Sequence, residues 1–144
     1  MKKQPWFYTE KVKEHFFNPR NVLKTDAEAK KYAKTADGVG QVGSPICGDV
    51  MKIWIKVKNN RIADIKWQTF GCASAIASTS VMSEMVKGMT LKEALKIKPA
   101  DIVKNLGSLP AQKIHCSVLG DRALWKAINN YLEKHYGNKK TKNH

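Results

Sequence analysis

The residues of this chain best suited to chemistry are its three cysteines, Cys47, Cys72 and Cys116. Their odd number, in a sequence whose opening residues show no apolar signal-peptide stretch, argues against a disulfide framework, so we expect reduced thiols. Their intervals of 25 and 44 residues exclude the paired Cys-x-x-Cys knuckles of a zinc ribbon. The lack of any Cys-x-x-Cys pair also argues against a thioredoxin-like oxidoreductase and a ferredoxin-type carrier with four closely spaced cysteines.

Two of the cysteines have neighbours that can also bind a metal. In Cys47-Gly48-Asp49 a thiolate and a carboxylate stand two residues apart, hence on one side of an extended segment, and Gly48 lets the backbone turn near a bulky ligand. His115 beside Cys116 adds an imidazole, which zinc and iron both accept. These five groups exceed what one tetrahedral metal needs, so the set predicts a site where ligands exchange. The other histidines are expected to be structural or exposed: His15, His135 and His144.

Each cysteine stands where one predicted element gives way to the next. Cys47 precedes a hairpin, Cys72 lies where a strand becomes a helix, and Cys116 comes just before the final helix. Helix N-termini present free amide donors and a positive dipole end, which favour a thiolate over a thiol at Cys72 and Cys116. Inert core packing remains the alternative, although no cysteine belongs to an apolar stripe.

The strands that position Cys47 and Cys72 are read from period-two alternation. Apolar residues alternate with polar ones from Met51 to Val57, which predicts a half-buried strand. Asn59-Asn60 fits a tight turn, and a second strand follows from Ile62 to Phe70. Ala63, Ile65 and Trp67 are predicted to share one face of this strand. Upstream, residues 24–37 are rich in Lys, Ala, Asp and Glu and lead into an extended stretch through Pro45, expected to be a linker or an edge strand.

Helical spacing of apolar residues appears near the beginning of the chain and throughout its second half. Small and apolar residues at intervals of three and four predict a closely packing helix after Cys72, and Thr90 to Glu93 form a capping box. The helices are expected at Tyr8–Phe17, Cys72–Val86, Thr90 to Pro99, Asp101–Leu106, and from Leu119 to a stop at Gly137. Strands early and helices late predict an α+β fold, a small three-stranded antiparallel sheet with helices packed on one face.

Size and charge limit the classes of function. A chain of 144 residues suits one domain, which we place at residues 1–137 before a basic flexible tail, 138–144. No apolar run reaches the ~20 residues of a membrane span, so a soluble, cytoplasmic protein without membrane contact is expected. The net charge of +14 favours acidic partners. A basic nucleic-acid-binding module is disfavoured because the basic residues form no arginine-rich stripe or aromatic-studded strand.

Three motifs around these residues resemble the signatures of the IscU/NifU-type iron-sulfur cluster assembly scaffolds. The resemblance also includes Tyr8, Lys11, Val12 and His15, and it covers nearly the whole chain to Tyr136. The motifs, in the family's order and spacing, are Ser44-Pro45-Ile46-Cys47-Gly48-Asp49, Phe70-Gly71-Cys72-Ala73-Ser74-Ala75 and His115-Cys116-Ser117, preceded by Asn18-Pro19-Arg20-Asn21.

The resemblance implies a SufE/NifU-like fold and a scaffold for [2Fe-2S] clusters rather than a conventional enzyme. Cys47, Cys72 and Cys116 would bind the cluster, with Asp49 and His115 completing or exchanging the coordination of iron. Cys116 would accept persulfide sulfur first, and Asp49 would keep the cluster labile. It also implies these partners: a cysteine desulfurase of the IscS/NifS type, an iron or electron donor such as a ferredoxin or frataxin-like protein, recipient apo-proteins, and further copies of the chain.

The sequence departs from the family pattern at one motif. Leu109-Pro110-Ala111-Gln112-Lys113 replaces the Leu-Pro-Pro-Val-Lys that specialised Hsp70 chaperones recognise, which weakens the expectation of that partner. Lys113 would instead supply a counter-charge near Asp49. No further cluster domains of the NifU kind are present, so a freestanding scaffold is expected. His115 and the short interval before Cys116 argue against the SufU branch. The main rival is a zinc-binding sulfur relay that activates a desulfurase, with zinc also an alternative occupant of the apo form.

Overall fold

A computed structural model of the chain describes residues 10–44, 49–70, 73–106 and 117–136. The described elements follow one another as six helices and three strands. They are α1 Glu10–Phe17, α2 Asp26–Ala33, β1 Gly38–Ser44, β2 Asp49–Lys58, β3 Arg61–Phe70, α3 Ala73–Val86, α4 Leu91–Leu95, α5 Pro99–Leu106 and α6 Ser117–Tyr136.

The strands form one antiparallel sheet in the order β1-β2-β3. The predicted hairpin is confirmed, and its turn has both central residues in the left-handed region, with φ of 54° at Asn59 and 63° at Asn60. Asparagine tolerates this backbone conformation, and two such residues match the twist of a two-residue hairpin. The edge strand expected before Pro45 is β1.

The predicted common face of Ala63, Ile65 and Trp67 was wrong at Ala63. Lys56 pairs with Asp64 while Val57 pairs with Ile62, so Ala63 is the extra residue of a β-bulge. The bulge reverses the alternation before it, and Ala63 is exposed whereas Ile62 is fully buried. Beyond the bulge, Ile65 and Trp67 are buried as predicted.

The main core lies between one face of the sheet and the two longest helices. The sheet contributes buried side chains from β2 and β3, and α3 and α6 pack over them. Helix α3 is buried on most sides because α1, α5 and α6 also contact it, and its small residues permit that crowding. The largest fully buried side chains include Trp67, Met51, Ile53, Ile55, Ile62, Ile65, Met82, Leu124 and Ile128.

Helix α2 was not predicted, although its start signal is present in the sequence. The Thr25 side chain accepts a hydrogen bond from the Glu28 amide, and the Glu28 carboxylate accepts one from the Thr25 amide, a complete capping box. The helix covers the second face of the sheet, where Trp54 is only 3% exposed beside Ala29. The predicted fold class is confirmed, and α2 adds a small layer opposite the main helices.

The remaining helices follow the predictions with shifted bounds. Thr90 and Glu93 form the capping box that starts α4, which ends at Leu95. Pro99 begins α5 rather than closing the preceding helix, a first-turn position that suits proline because its missing amide has no partner there. The described part of the chain contains no helix with the length and hydropathy of a membrane span.

Candidate functional site

Most of the predicted site residues lie outside the residues that the structure describes. This holds for Cys47, Cys72, Lys113, His115 and Cys116. The backbone of Asp49 begins β2, but its side chain is also outside the description. The site is therefore described through the strands and helices that flank these residues in sequence.

The strand ends that flank Cys47 and Cys72 lie together at one end of the sheet. Ser44, the last residue of β1, pairs with Asp49, the first residue of β2. The next residue, Val50, pairs with Phe70 at the end of β3. Phe70 is 69% exposed, so the sheet presents an aromatic side chain to solvent at this end.

Helix α6 runs antiparallel to β1, and its beginning points toward the same end of the sheet. Gly38 lies against Ala127 and Tyr131, whereas Gly40 lies against Ala123 and Ala127. Moving along β1 toward Ser44 therefore means moving backward along α6 toward Ser117. The two glycines, on one face of the strand, leave room for the helix backbone. This Gly-Val-Gly pattern is the signal for a close helix contact that the sequence analysis missed.

A second close contact joins the start of α6 to the middle of α3. A Cβ atom added at Gly120 would lie 2.8 Å from Thr79 Oγ1, 3.6 Å from Thr79 Cβ and 3.7 Å from Met82 Sδ. Thr79 is fully buried, and its hydroxyl finds no hydrogen-bond partner in the described structure. The first turn of the helix that follows Cys116 in sequence thus touches the middle of the helix that follows Cys72.

The electrostatic character of these two helix starts sets them apart from the other described helices. α1, α2, α4 and α5 each have a carboxylate in the first turn, whereas α3 and α6 have none. The positive end of the helix dipole is therefore not offset by an acidic side chain in the first turn of either helix. Such a terminus stabilises a thiolate or another anion in the preceding residue.

The N-terminal helix is anchored to α3 through a buried histidine. His15 is 3% exposed, its Nδ1 lies 2.7 Å from Ser80 Oγ, and its Nε2 lies 3.7 Å from a Glu84 carboxylate oxygen. Burial lowers the pKa of His15, and the positive charge of Arg20 lowers it further. The expected structural role of His15 is confirmed, and His135 is exposed as expected. His144 lies outside the described residues.

The segment that follows α1 pairs with β3 and also contacts α3. Trp67 Nε1 donates a hydrogen bond to the Arg20 carbonyl at 2.8 Å, and the Trp67 backbone exchanges bonds with Asn21 and Leu23. Asn21 adopts a left-handed φ of 64°, and its side-chain amide donates to Ser83 Oγ of α3. The Asn-Pro-Arg-Asn motif therefore ties α1, β3 and α3 together.

No alternative metal site emerges elsewhere in residues 10–44, 49–70, 73–106 and 117–136. Within them, no group of three or more His, Cys, Asp and Glu side chains could hold a metal ion. A cleft of about 350 Å³ between α4 and α6 contains Asp121, whose pKa is raised to about 6 by burial and then by the nearby charge of Asp101. Its other lining residues include Arg122, Lys126 and Trp125. This mixed lining offers one half-buried carboxyl rather than a set of ligands.

Comparison with known proteins bears on the resemblance that the motifs suggested. The family model for the NifU-like N-terminal domain matches residues 7–138. The chain belongs to this family. It is 55% identical over 127 residues to the iron-sulfur cluster assembly scaffold protein IscU 1 of Archaeoglobus fulgidus, an alignment that covers 88% of this chain and 78% of that protein.

Other members of the NifU-like family show the same relationship. The iron-sulfur cluster assembly scaffold protein IscU of Aquifex aeolicus is 49% identical over 129 residues, covering 88% of this chain and 77% of the relative. The nitrogen fixation protein NifU of a Nostoc species is 48% identical over 128 residues, which span 88% of this chain but only 42% of that protein. The resemblance inferred from the motifs is thereby confirmed.

Solved structures agree with the fold. A NifU-like N-terminal protein from Brucella abortus superposes with a TM-score of 0.62 at 21% identity, covering 88% of this chain and 94% of that one. FiSufU from Fervidobacterium islandicum gives a TM-score of 0.59 at 22% identity, with 84% and 96% covered. At these identities the likeness concerns the fold alone, which the NifU-like and SUF-system proteins share.

Proposed function

We propose that this chain is a scaffold on which a [2Fe-2S] cluster is assembled and from which it passes to apo-proteins, with the cluster as cargo. One observation supports this above the others. The described strand ends and helix starts that adjoin Cys47, Cys72 and Cys116 in sequence face one end of the domain. The printed names of the Archaeoglobus and Aquifex relatives agree with this role.

In this proposal the three thiolates are the iron ligands. The α3 and α6 starts, which lack first-turn carboxylates, favour the ionised forms of Cys72 and Cys116. Asp49, the first residue of β2, and His115 complete or exchange the coordination. A carboxylate is a harder and weaker ligand than a thiolate in such a cluster, so Asp49 keeps the assembly releasable. Lys113 is proposed as a counter-charge near Asp49.

Sulfur would enter by thiol exchange. The Cys116 thiolate attacks the outer sulfur of a persulfide on a cysteine desulfurase, a new S–S bond forms on Cys116, and the desulfurase cysteine leaves as a thiolate. This exchange moves one sulfur atom without net oxidation or reduction. Each transferred sulfur then needs two electrons to become sulfide, and these come from ferrous iron and from an electron donor such as a ferredoxin. The chain therefore acts as a stoichiometric carrier rather than an enzyme.

The charge of the chain suits this set of partners. The net charge of +14 would draw the scaffold toward an acidic surface on the desulfurase, and the association would weaken as salt rises. We place the reaction in the cytoplasm, where thiols stay reduced. An unchanged association rate between low and high salt would contradict the electrostatic part of this proposal.

Anaerobic reconstitution tests the proposal. The full chain is mixed with ferrous iron, cysteine, a desulfurase and a thiol reductant, and the visible absorption of a cluster is followed. A coloured protein that passes its cluster to an apo-ferredoxin is expected. Replacing any of Cys47, Cys72 and Cys116 by serine should abolish the colour while the far-UV circular dichroism stays unchanged. Asp49→Ala should keep the colour and slow the transfer to the apo-ferredoxin.

The same experiment separates the scaffold from the zinc relay, which uses the same donors. A relay would stay colourless, would accelerate the desulfurase, and would lose that effect when zinc is removed. The scaffold should instead build clusters faster once zinc is removed, because zinc and iron compete for the same thiolates. Colourless protein with zinc-dependent activation would overturn the proposed function.

A further inference from the structure

The contact between Gly120 and Thr79 joins the two helices that follow the predicted thiolates, in the first turn of α6 and halfway along α3. Gly120 is three residues into α6, about 4.5 Å along its axis, and Thr79 is six residues into α3, about 9 Å along. Because helices are stiff over one or two turns, a displacement at this crossing reaches Ser117 and Ala73 nearly undiminished.

The contact is steric rather than hydrogen-bonded. Both residues are buried, and the Thr79 hydroxyl has no hydrogen-bond partner among the described residues. A Cβ atom at Gly120 would stand 2.8 Å from Thr79 Oγ1, whereas ordinary van der Waals contact begins at 3.4 Å. Unless the Thr79 side chain rotates about χ1, an added methyl group has to move the helices apart by roughly 0.6 Å, which matches the ~0.5 Å within which a binding constellation must be held.

We infer that Gly120 and Thr79 are positioning residues that set the distance between the starts of α3 and α6, and through it the distance between Cys72 and Cys116. The inference rests on the proposed function for its purpose, since two thiolates must reach one cluster. Its geometric content is independent of that function. The two residues form a complementary pair in which the missing side chain of Gly120 accommodates the branched side chain of Thr79.

The test measures thiol spacing directly. In a Cys47→Ser background, dibromobimane becomes fluorescent when it bridges Cys72 and Cys116, and the rate of bridging reports their separation. Gly120→Ala should lower this rate about 10-fold, the lower end of what losing support for a ligand costs. Thr79→Ala should also change the rate, because it removes the other half of the contact. The double variant should return toward the parent rate, since the methyl group added at position 120 fills the space that Thr79 vacates.

The controls separate spacing from stability. Alanine favours a helix more than glycine does, which offsets part of the steric cost in Gly120→Ala and helps the variant to fold. Leu23→Ala opens a cavity in the cluster on the opposite face of the sheet, so it lowers stability without touching the crossing and should leave the bridging rate unchanged. If Gly120→Ala does not fold, Thr79→Ala and the double variant still provide the comparison.

The outcomes distinguish this inference from the proposed function. A bridging rate that is the same in the parent and in the folded single variants overturns the positioning role, whatever the cluster assay shows. The positioning role is also overturned if Leu23→Ala lowers the bridging rate as much as Gly120→Ala does. The positioning role is supported if the bridging rate falls in Gly120→Ala and is restored in the double variant. If the parent bridges readily but never assembles a cluster, the proposed function fails while the spacing inference stands.

Discussion

Replacing Gly40 by alanine should lower the free energy of unfolding by more than backbone strain alone would. A Cβ atom at this position in β1 would lie 2.5 Å from the Ala127 amide nitrogen and 2.8 Å from Lys126 Cβ, and closer still to the Ala123 carbonyl oxygen. Two of these atoms belong to the helix backbone, which cannot rotate away. Restoring ordinary contact at 3.4 Å therefore requires α6 to move about 1 Å away from the sheet.

The cost follows from what α6 covers. A gap of that width loses a quarter to a half of the dispersion energy of the atoms that line it. Leu124 and Ile128 are fully buried beneath α6, and each contributes roughly 1.5–3 kcal/mol through burial. Losing up to half of this, together with the contacts of the neighbouring alanines, gives about 3 kcal/mol, at the upper end of ordinary overpacking.

Urea unfolding followed by circular dichroism and tryptophan fluorescence measures this loss. Gly88→Ala is the matched control, because Gly88 has a φ of 92° but no atom within 4 Å of an added Cβ. The control carries only backbone strain, about 1–2 kcal/mol. If Gly40→Ala costs no more than Gly88→Ala, the close packing of α6 on β1 does not hold and the steric argument is refuted.

Three further predictions concern charge and hydrogen bonding. Burial raises the pKa of Asp121 to about 6, so its contribution to the stability of the fold falls as the pH rises from about 4 to 6. Asp121→Asn should therefore increase the free energy of unfolding by about 1 kcal/mol at pH 7.5, after allowance for solvent screening. Urea titrations should show a smaller gain at pH 5. Burial lowers the pKa of His15, so the stability it contributes is present above pH 6.5 and lost below it. Parallel melts of wild type and His15→Gln at pH 7.5 and 5.5 should show a flatter pH dependence in the variant. Tyr32→Phe removes a 2.7 Å hydrogen bond to Asp64 and should cost about 1 kcal/mol in urea, and no loss would show that water replaces the bond.

The sequence predicted the elements whose hydrophobic pattern is uninterrupted. The alternation from Met51 and the asparagine turn identified the hairpin, and the long apolar stripe identified α6. Periodicity predicted the wrong face for Ala63, because a β-bulge inserts one extra residue into the alternation and no residue type in the sequence indicates it. It also failed at α2, a helix of eight residues with a weak apolar face, whose capping box at Thr25 and Glu28 was the stronger signal.

The family was recognised from short motifs around the cysteines, and the matching of residues 7–138 to the NifU-like family confirmed it. Residue types and order carry this information because ligand chemistry depends on which groups are present. The spacing between the ligands is a different kind of property. It depends on how closely the elements approach one another, and no ligand residue encodes that distance.

The close approach of α6 depends largely on side chains that are missing. Gly38 and Gly40 admit its backbone against β1, and Gly120 admits Thr79 of α3. These contacts fix α6 from two sides, the first along the middle of the helix and the second in its first turn. Hydrophobic periodicity records only the side chains that are present, so it assigns a glycine in a strand or helix the role of a breaker. A glycine that alternates on one face of a strand is better read as room for a neighbouring backbone, and one in the first turn of a helix as room for a side chain of the neighbouring helix.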